Sequence, residues 1–332
     1  MRFCLFLLLF LLAPVWASDA LVIAHRGASA YLPEHTLPAY ALAYGQGADY
    51  LEPDLVLTAD GVLIALHDKT LDATTNVAEV FPDRAREDGG FYAIDFTLEE
   101  IRQLNARERV EADSMKARYS ERWPVDLGRF EVVTFDELIE LTRELNRSTG
   151  RRVGVYPELK FPAFHAEHGQ DIATVLIETL LRHDLPSETL PVFVQSFEPE
   201  PLQRIHEQHG DRFALIQLIG ENDWDMNTVD YDAMRSQEGL QSVAEYAVGI
   251  GPPLLRLIEG ADGQPSMAPS EFMNRARDLG LKIHPYTFRR EGLPAGVTLE
   301  GLLQLFIGPL GIDGVFTDNP DVALKIREAQ SE

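Results

Sequence analysis

Short apolar runs alternate with helical patterns along this chain. The runs are LVIA (21–24), YLEPDLVL (50–57), VLIAL (62–66), VGVYPEL (153–159), PVFVQS (191–196), FALIQLI (213–219), YAVGI (246–250), KIHPYTF (282–288) and DGVFT (313–317). Each has the length and the apolar continuity of a strand covered on both faces. Only Thr58-Ala59-Asp60-Gly61 separates the second run from the third. Asp-Gly is a hairpin turn signal, and a connection this short forces an antiparallel pair, because a parallel return needs a crossover of about a dozen residues or more. Setting that partner aside leaves eight strands. The pattern therefore predicts an α/β fold, a TIM (β/α)8 barrel with a β-hairpin after strand 2.

The helices carry their own signals. Thr134 and Glu137 form a capping box ahead of DELIELTRELN, and 171–181 and 270–279 have helical spacing. Pro320 opens a last helix at a favourable first position. Two stretches break the alternation. One, about 69–129, is charged and irregular; the other, 220–239, contains Asn222-Asp223-Trp224-Asp225. Long irregular segments in compact domains are usually functional loops, so both are expected beside or over the site, with a solvated surface excursion equally open for most of the first.

Residues 1–17, MRFCLFLLLFLLAPVWA, place Arg2 before an apolar run and small residues after it. This is the order of an export signal. The run is too short for a membrane span, which needs about 20 apolar residues, so no stable membrane anchor is expected. Residues 18–332 then form one catalytic-sized domain. The chain's only cysteine, Cys4, would leave with the leader, so the fold must rest on its core without disulfides.

Charge narrows the partners. The chain carries 29 Lys+Arg against 53 Asp+Glu, a net charge of −24, which disfavours nucleic acid and anionic membrane surfaces. A small-molecule partner remains, and a homodimer stays open.

Polar residues collect at the ends of the predicted strands, where barrel active sites form. His25-Arg26-Gly27 ends the first. Glu52 and Asp54 lie two apart on the second, which puts both carboxylates on one face. His67-Asp68 ends the hairpin partner, Glu158 and Lys160 again lie two apart, Gln195-Ser196 and Tyr286-Thr287 end two more, and Thr317-Asp318 the last. Three carboxylates (Glu52, Asp54, Glu158) against two bases (Arg26, Lys160) leave an excess that one hard divalent cation, calcium or magnesium, would satisfy. Two strand-end histidines, His25 and His67, suit a general acid and base, and Arg26 and Lys160 suit a phosphate. His183, His206 and His209 fall on predicted helix surfaces and are read as solvated. A barrel glycosidase would also pair carboxylates, but it has no use for His-Arg and Glu-x-Lys. An exported, non-catalytic binding protein for phosphorylated compounds would explain the bases and not the histidines.

The strings HRGASAYLPEHT (25–36), GADYLEPDLVLTADGVLIALHD (47–68), YPELK (156–160), VQSF (194–197), HPYT (284–287) and FTDNP (316–320) together resemble the glycerophosphodiester phosphodiesterases, most closely the exported, periplasmic type. The resemblance implies a TIM barrel, one divalent cation, usually calcium, and hydrolysis of glycerophosphodiesters to glycerol 3-phosphate and an alcohol. It also implies roles: Glu52, Asp54 and Glu158 as metal ligands, His25 and His67 as the acid–base pair, and Arg26, Lys160, Gln195 and Tyr286 as substrate contacts. Many members have tryptophan where this chain has Tyr286.

Overall fold

A computed structural model describes residues 20–111, 114–224, 229–260 and 262–331. The expected leader lies outside the described residues. The strands are β1 (Leu21–His25), β2 (Tyr50–Glu52), β3 (Asp54–Leu57), β4 (Leu63–Ala65), β5 (Gly154–Val155), β6 (Glu158–Leu159), β7 (Phe193–Ser196), β8 (Ala214–Leu218), β9 (Gly249–Gly251), β10 (Lys282–Ile283) and β11 (Gly314–Thr317). They pair in two runs, β11-β1-β2-β5 and β10-β9-β8-β7-β6-β3-β4, in which only β3 and β4 are antiparallel.

The two runs close into one barrel. The predicted strand 50–57 is broken into β2 and β3 at Pro53, and that at 153–159 into β5 and β6 beside Pro157. Proline has no N–H to give a ladder. The carbonyls still accept: Tyr156 N–H donates to Leu51 O and Glu158 N–H to Pro53 O, at 2.9 and 2.8 Å. At the other seam Phe288 N–H donates to Phe316 O and Phe316 N–H to Pro285 O. The predicted strand 282–288 is likewise shortened to β10, with Pro285 beyond it. Eight strand positions and a hairpin partner are what the alternation predicts.

Two layers of core hold the barrel. Inside it, Ile23, Tyr156, Phe193, Ile216 and Phe316 pack together, and Tyr156 Oη meets the buried His284 Nδ1 at 2.9 Å. Outside it, the helices lay Leu138, Ile139, Leu176, Leu180, Leu303 and Phe306 against the strands. The capping box at Thr134 and Glu137 opens the helix Phe135–Thr149, Asp171 caps Ile172–Arg182, Ser270 caps Glu271–Asp278, and Pro320 begins Pro320–Ser331, all as the sequence predicts. Among the described residues no helix is long and apolar enough to cross a membrane.

The two irregular stretches are more ordered than their composition suggests. Between 69 and 129 run the short helices Val77–Val80 and Leu98–Ile101. They build a satellite core of Leu71, Val77, Phe91, Phe96, Ile101 and Leu104 against Val56 and Ile64 of the hairpin. A purely solvated excursion is therefore corrected: eight buried apolar side chains of this segment pack against Val56, Ile64, Leu66 and Val132 and hold it to the barrel. The second stretch contains the helix Tyr231–Met234 and the start of Gln237–Ala244. His183 is also corrected. Its side chain is 11% exposed, with Nε2 2.6 Å from Asp136 Oδ1 and its carbonyl accepting from Arg143, so it ties two helices together and is not solvated.

Candidate active site

The strand ends open into a cavity of about 390 Å3. Glu52 and Glu158 of an acidic cluster line its floor. Ligand oxygens of Glu52, Asp54 and Glu158 lie within 4.8 Å of one another, and the three side chains are buried at 1%, 1% and 6% exposure. The register explains the meeting: Asp54 pairs with Glu158 across β3 and β6, and Glu52 sits beside His25 across β1 and β2.

Each carboxylate is held from behind. Glu52 Oε2 accepts from the Arg26 backbone N–H at 2.9 Å and Oε1 from the Gln195 amide at 3.2 Å. Asp54 Oδ2 lies 3.0 Å from Arg26 Nε and from His35 Nε2. Lys160 Nζ stands 2.8 Å from Glu158 Oε1 and 3.8 Å from Asp54 Oδ1. Burial, then the neighbouring Asp54 and Glu158, push Glu52 well above the usual carboxylate range. Burial likewise raises Glu158 to about 8, Lys160 opposing it and Asp54 adding to it. Asp54 goes the other way: burial would raise it, but Arg26 and Lys160 hold it well below.

Such a cluster fits a hard cation. The donors are all oxygen, the choice of calcium and magnesium, and two of the three carry raised pKa values because like charges crowd a dry site. A divalent ion relieves that repulsion. The buried Gln195 Oε1 has no hydrogen-bond partner among the described residues, which leaves one more neutral oxygen beside the cluster.

The two histidines flank this floor, and each leans on a carboxylate. His25 Nδ1 is 2.6 Å from Asp318 Oδ1, and His67 Nδ1 is 2.6 Å from Asp68 Oδ1. An ionised carboxylate only accepts, so Nδ1 donates in both rings and Nε2 is the atom left to take a proton or, once protonated, to give one. Burial, then Arg26, lower the His25 pKa against the pull of Asp318. Burial, Arg26 and Lys160 lower His67 to about 3.

The 69–129 segment reaches into this arrangement. Arg109 makes two hydrogen bonds to Glu34, at 3.0 and 2.7 Å, and a third to Asp68 Oδ2 at 2.5 Å. Glu34 in turn accepts from Arg26 at 3.2 Å. Arg122 donates to Asp318 at 2.6 Å and to Glu291 at 2.6 and 3.0 Å. Both histidine-bound carboxylates therefore rest on an arginine of that segment. Sequence reasoning missed Glu34, His35, Arg109 and Arg122. Glu34-His35 sits inside the quoted string, only eight residues after Arg26, whereas Arg109 and Arg122 come from a stretch without strand or helix periodicity.

The chain turns sharply to deliver Arg26. That residue has φ 59° and Gly27 φ 85°, and a Cβ at Gly27 would stand 2.8 Å from the Ala39 carbonyl carbon. Glycine alone fits there. Tyr286 lines the cavity beside Phe197, their rings 5.9 Å apart and edge-on, while its hydroxyl donates to Ile219 O at 2.7 Å. Gln195 lines the cavity too, with its nitrogen engaged by Glu52. His206 and His209 lie away from this lining.

A barrel with an oxygen-only cation cluster, two carboxylate-backed histidines and buried Arg and Lys defines a metal-dependent phosphoester hydrolase. Residues 25–322 match the glycerophosphoryl diester phosphodiesterase family, and the chain belongs to it. A glycerophosphodiester phosphodiesterase of Haemophilus influenzae is 38% identical over 326 residues, covering 93% of this chain and 90% of the relative. One of Treponema pallidum is 34% identical, covering 93% and 92%. Among solved structures, a Silicibacter pomeroyi protein superposes with TM-score 0.71 at 23% identity, covering 95% of each chain. An Oleispira antarctica phosphodiesterase, solved with its product sn-glycerol-3-phosphate, gives TM-score 0.60 at 22% identity, covering 93% and 96%. The chain is thus a barrel hydrolase that cleaves glycerophosphodiesters with a metal ion.

Proposed function

We propose that this enzyme is exported by residues 1–17 to the periplasm, or outside the cell where there is no outer membrane. There it releases sn-glycerol 3-phosphate from small glycerophosphodiesters such as glycerophosphocholine and glycerophosphoethanolamine. Glu52, Asp54 and Glu158 hold the cation, with calcium the favoured ion and magnesium the alternative. When bound, such an ion supplies Lewis-acid polarisation of a phosphoryl oxygen and lowers the pKa of a hydroxyl beside it.

The chain's own residues do the rest. Arg26 and Lys160 face the same cluster and suit the non-bridging phosphate oxygens, Arg as a fork and Lys as a point charge. One histidine takes the proton of the glycerol 2-hydroxyl through Nε2 as that oxygen attacks phosphorus. The other enters the step as an imidazolium, protonated at Nε2 as well as at Nδ1, and gives its Nε2 proton to the departing alcohol oxygen. Water then opens the five-membered cyclic phosphate with the two roles exchanged, restoring both protonation states. Asp68 and Asp318 fix the tautomers and stabilise each imidazolium as it forms.

The observation that carries this reading is the pairing of His25 and His67, each hydrogen-bonded to its own carboxylate at 2.6 Å, beside one all-oxygen cluster. The test is glycerol 3-phosphate release with calcium, with magnesium and with chelator. His25→Ala and His67→Ala are expected to lose turnover and keep cation-induced thermal stabilisation. Near-normal turnover of His25→Ala on glycerophosphocholine would overturn the assignment.

A further inference from the structure

Six cationic side chains line the catalytic cavity: Arg26, Arg109, Arg118, Arg122, Lys160 and Arg289. Five of them have a carboxylate within 4.0 Å. Arg289 has none among the described residues; its one hydrogen bond there runs from Nη1 to Tyr119 Oη at 3.1 Å. A guanidinium has five N–H donors, so most of this one is uncommitted.

Arg289 does not stand alone. Tyr119 gathers three guanidinium groups about its ring, with centroid distances of 4.1 Å for Arg122, 5.8 Å for Arg118 and 5.8 Å for Arg289. Arg122 is neutralised by Glu291 and Asp318. Arg118 meets Glu111 at 3.6 Å, with both side chains about half exposed, a pairing that solvent screens heavily. The position matters as much as the charge. Arg118, Tyr119 and Arg289 line both the catalytic cavity and an adjoining hollow of about 970 Å3, so they form the neck between them. A chain of net charge −24 has here a cationic neck one step from its phosphate site.

We propose that this neck is a second anion subsite, and that the enzyme prefers glycerophosphodiesters whose alcohol portion itself carries an anionic group, a phosphate monoester, a second phosphodiester or a carboxylate. The scissile phosphate sits at Arg26 and Lys160; the alcohol extends through the neck, where Arg289 and Arg118 receive its charge. Trp224 and Tyr286 wall the same passage and confine the alcohol laterally. This rests on the hydrolytic reading above and adds the substrate class.

The test compares kcat/KM for glycerophosphocholine, glycerophosphoserine and glycerophosphoglycerol 3-phosphate in calcium buffer. Wild type is expected to favour the two anionic substrates, with the preference shrinking as salt is raised. Arg289→Ala should lower kcat/KM for them about 10- to 100-fold, the loss of one or two charge-assisted hydrogen bonds, and leave glycerophosphocholine within about twofold. Retained turnover of that substrate shows the variant folded. Arg118→Ala should give a smaller loss of the same selectivity. The glycerophosphoserine and glycerophosphoglycerol 3-phosphate arms separate carboxylate from phosphate as the preferred anion. An equal loss on all substrates, or a wild type that favours glycerophosphocholine, would overturn the subsite. A wild type that cleaves none of them with any added cation would instead overturn the hydrolytic reading beneath it.

Discussion

Arg109→Ala tests whether the 69–129 segment sets up the catalytic histidines. The side chain is 7% exposed and Glu34 8%, so the pair is desolvated on both sides. Its removal takes away two bonds to Glu34 and one to Asp68. Glu34 is then left buried with Arg26 as its one remaining cation in contact among the described residues. Breaking a buried pair by deleting one partner costs about 3–5 kcal/mol. In a domain of this size each kcal/mol corresponds to about 1.5–2 °C in Tm, so a fall of roughly 5–10 °C is expected by calorimetry. Activity should fall further than stability explains. His67 loses the support behind Asp68, and removing such an outer hydrogen-bonding partner typically costs about 10- to 100-fold, expected mostly in kcat. Arg109→Lys should recover little, because a point charge cannot make three bonds in a fork. A variant within about 1 °C and twofold of wild type in Tm and kcat would refute the argument that this arginine organises the site.

Glu52→Gln with Asp54→Asn should abolish the thermal shift that calcium gives the wild type, a shift of about 2.7 kcal/mol at a concentration 100 times Kd, as measured by scanning fluorimetry. Gly27→Ala should lose most turnover and about 1–3 kcal/mol, because a Cβ would press on the Ala39 backbone at φ 85°; unchanged kinetics would count against the turn that presents Arg26. Glu108 is buried at 2% exposure, with its pKa raised to about 8 by burial and then by Glu34. The native state therefore holds a proton that the unfolded chain has released above about 4.5, and this group's contribution to stability falls as pH rises through 8. Glu108→Gln should flatten the decline of Tm between pH 5 and 8.5 and be more stable than wild type at the upper end; a parallel decline would show that another group causes it.

The barrel was legible because buried parallel strands announce themselves as apolar runs, and because Asp60-Gly61 marks the one hairpin. The acid floor was legible too, since period-two spacing carries Glu52 with Asp54 to one face. What stayed hidden came from two sources. Prolines 53, 157 and 285 interrupt ladders without ending strand positions, so strand boundaries shortened although the topology held. The supporting arginines lie in a segment whose apolar residues, such as Leu71, Phe91 and Ile101, are too scattered to show a period; they meet only when the short helices fold against Val56 and Ile64. Spacing along the chain cannot report a contact such as Arg122 with Asp318, which spans 196 residues.

The satellite core beside the hairpin has an energetic consequence. The segment's eight buried apolar residues form a small packing unit next to a large one, and such units open at lower free energy than the whole. Catalytic competence should then be lost at the opening of the lesser unit, releasing Arg109 and Arg122 together, while the barrel strands keep their amide protons from exchange. Heat should then switch the enzyme off below the temperature at which the barrel melts.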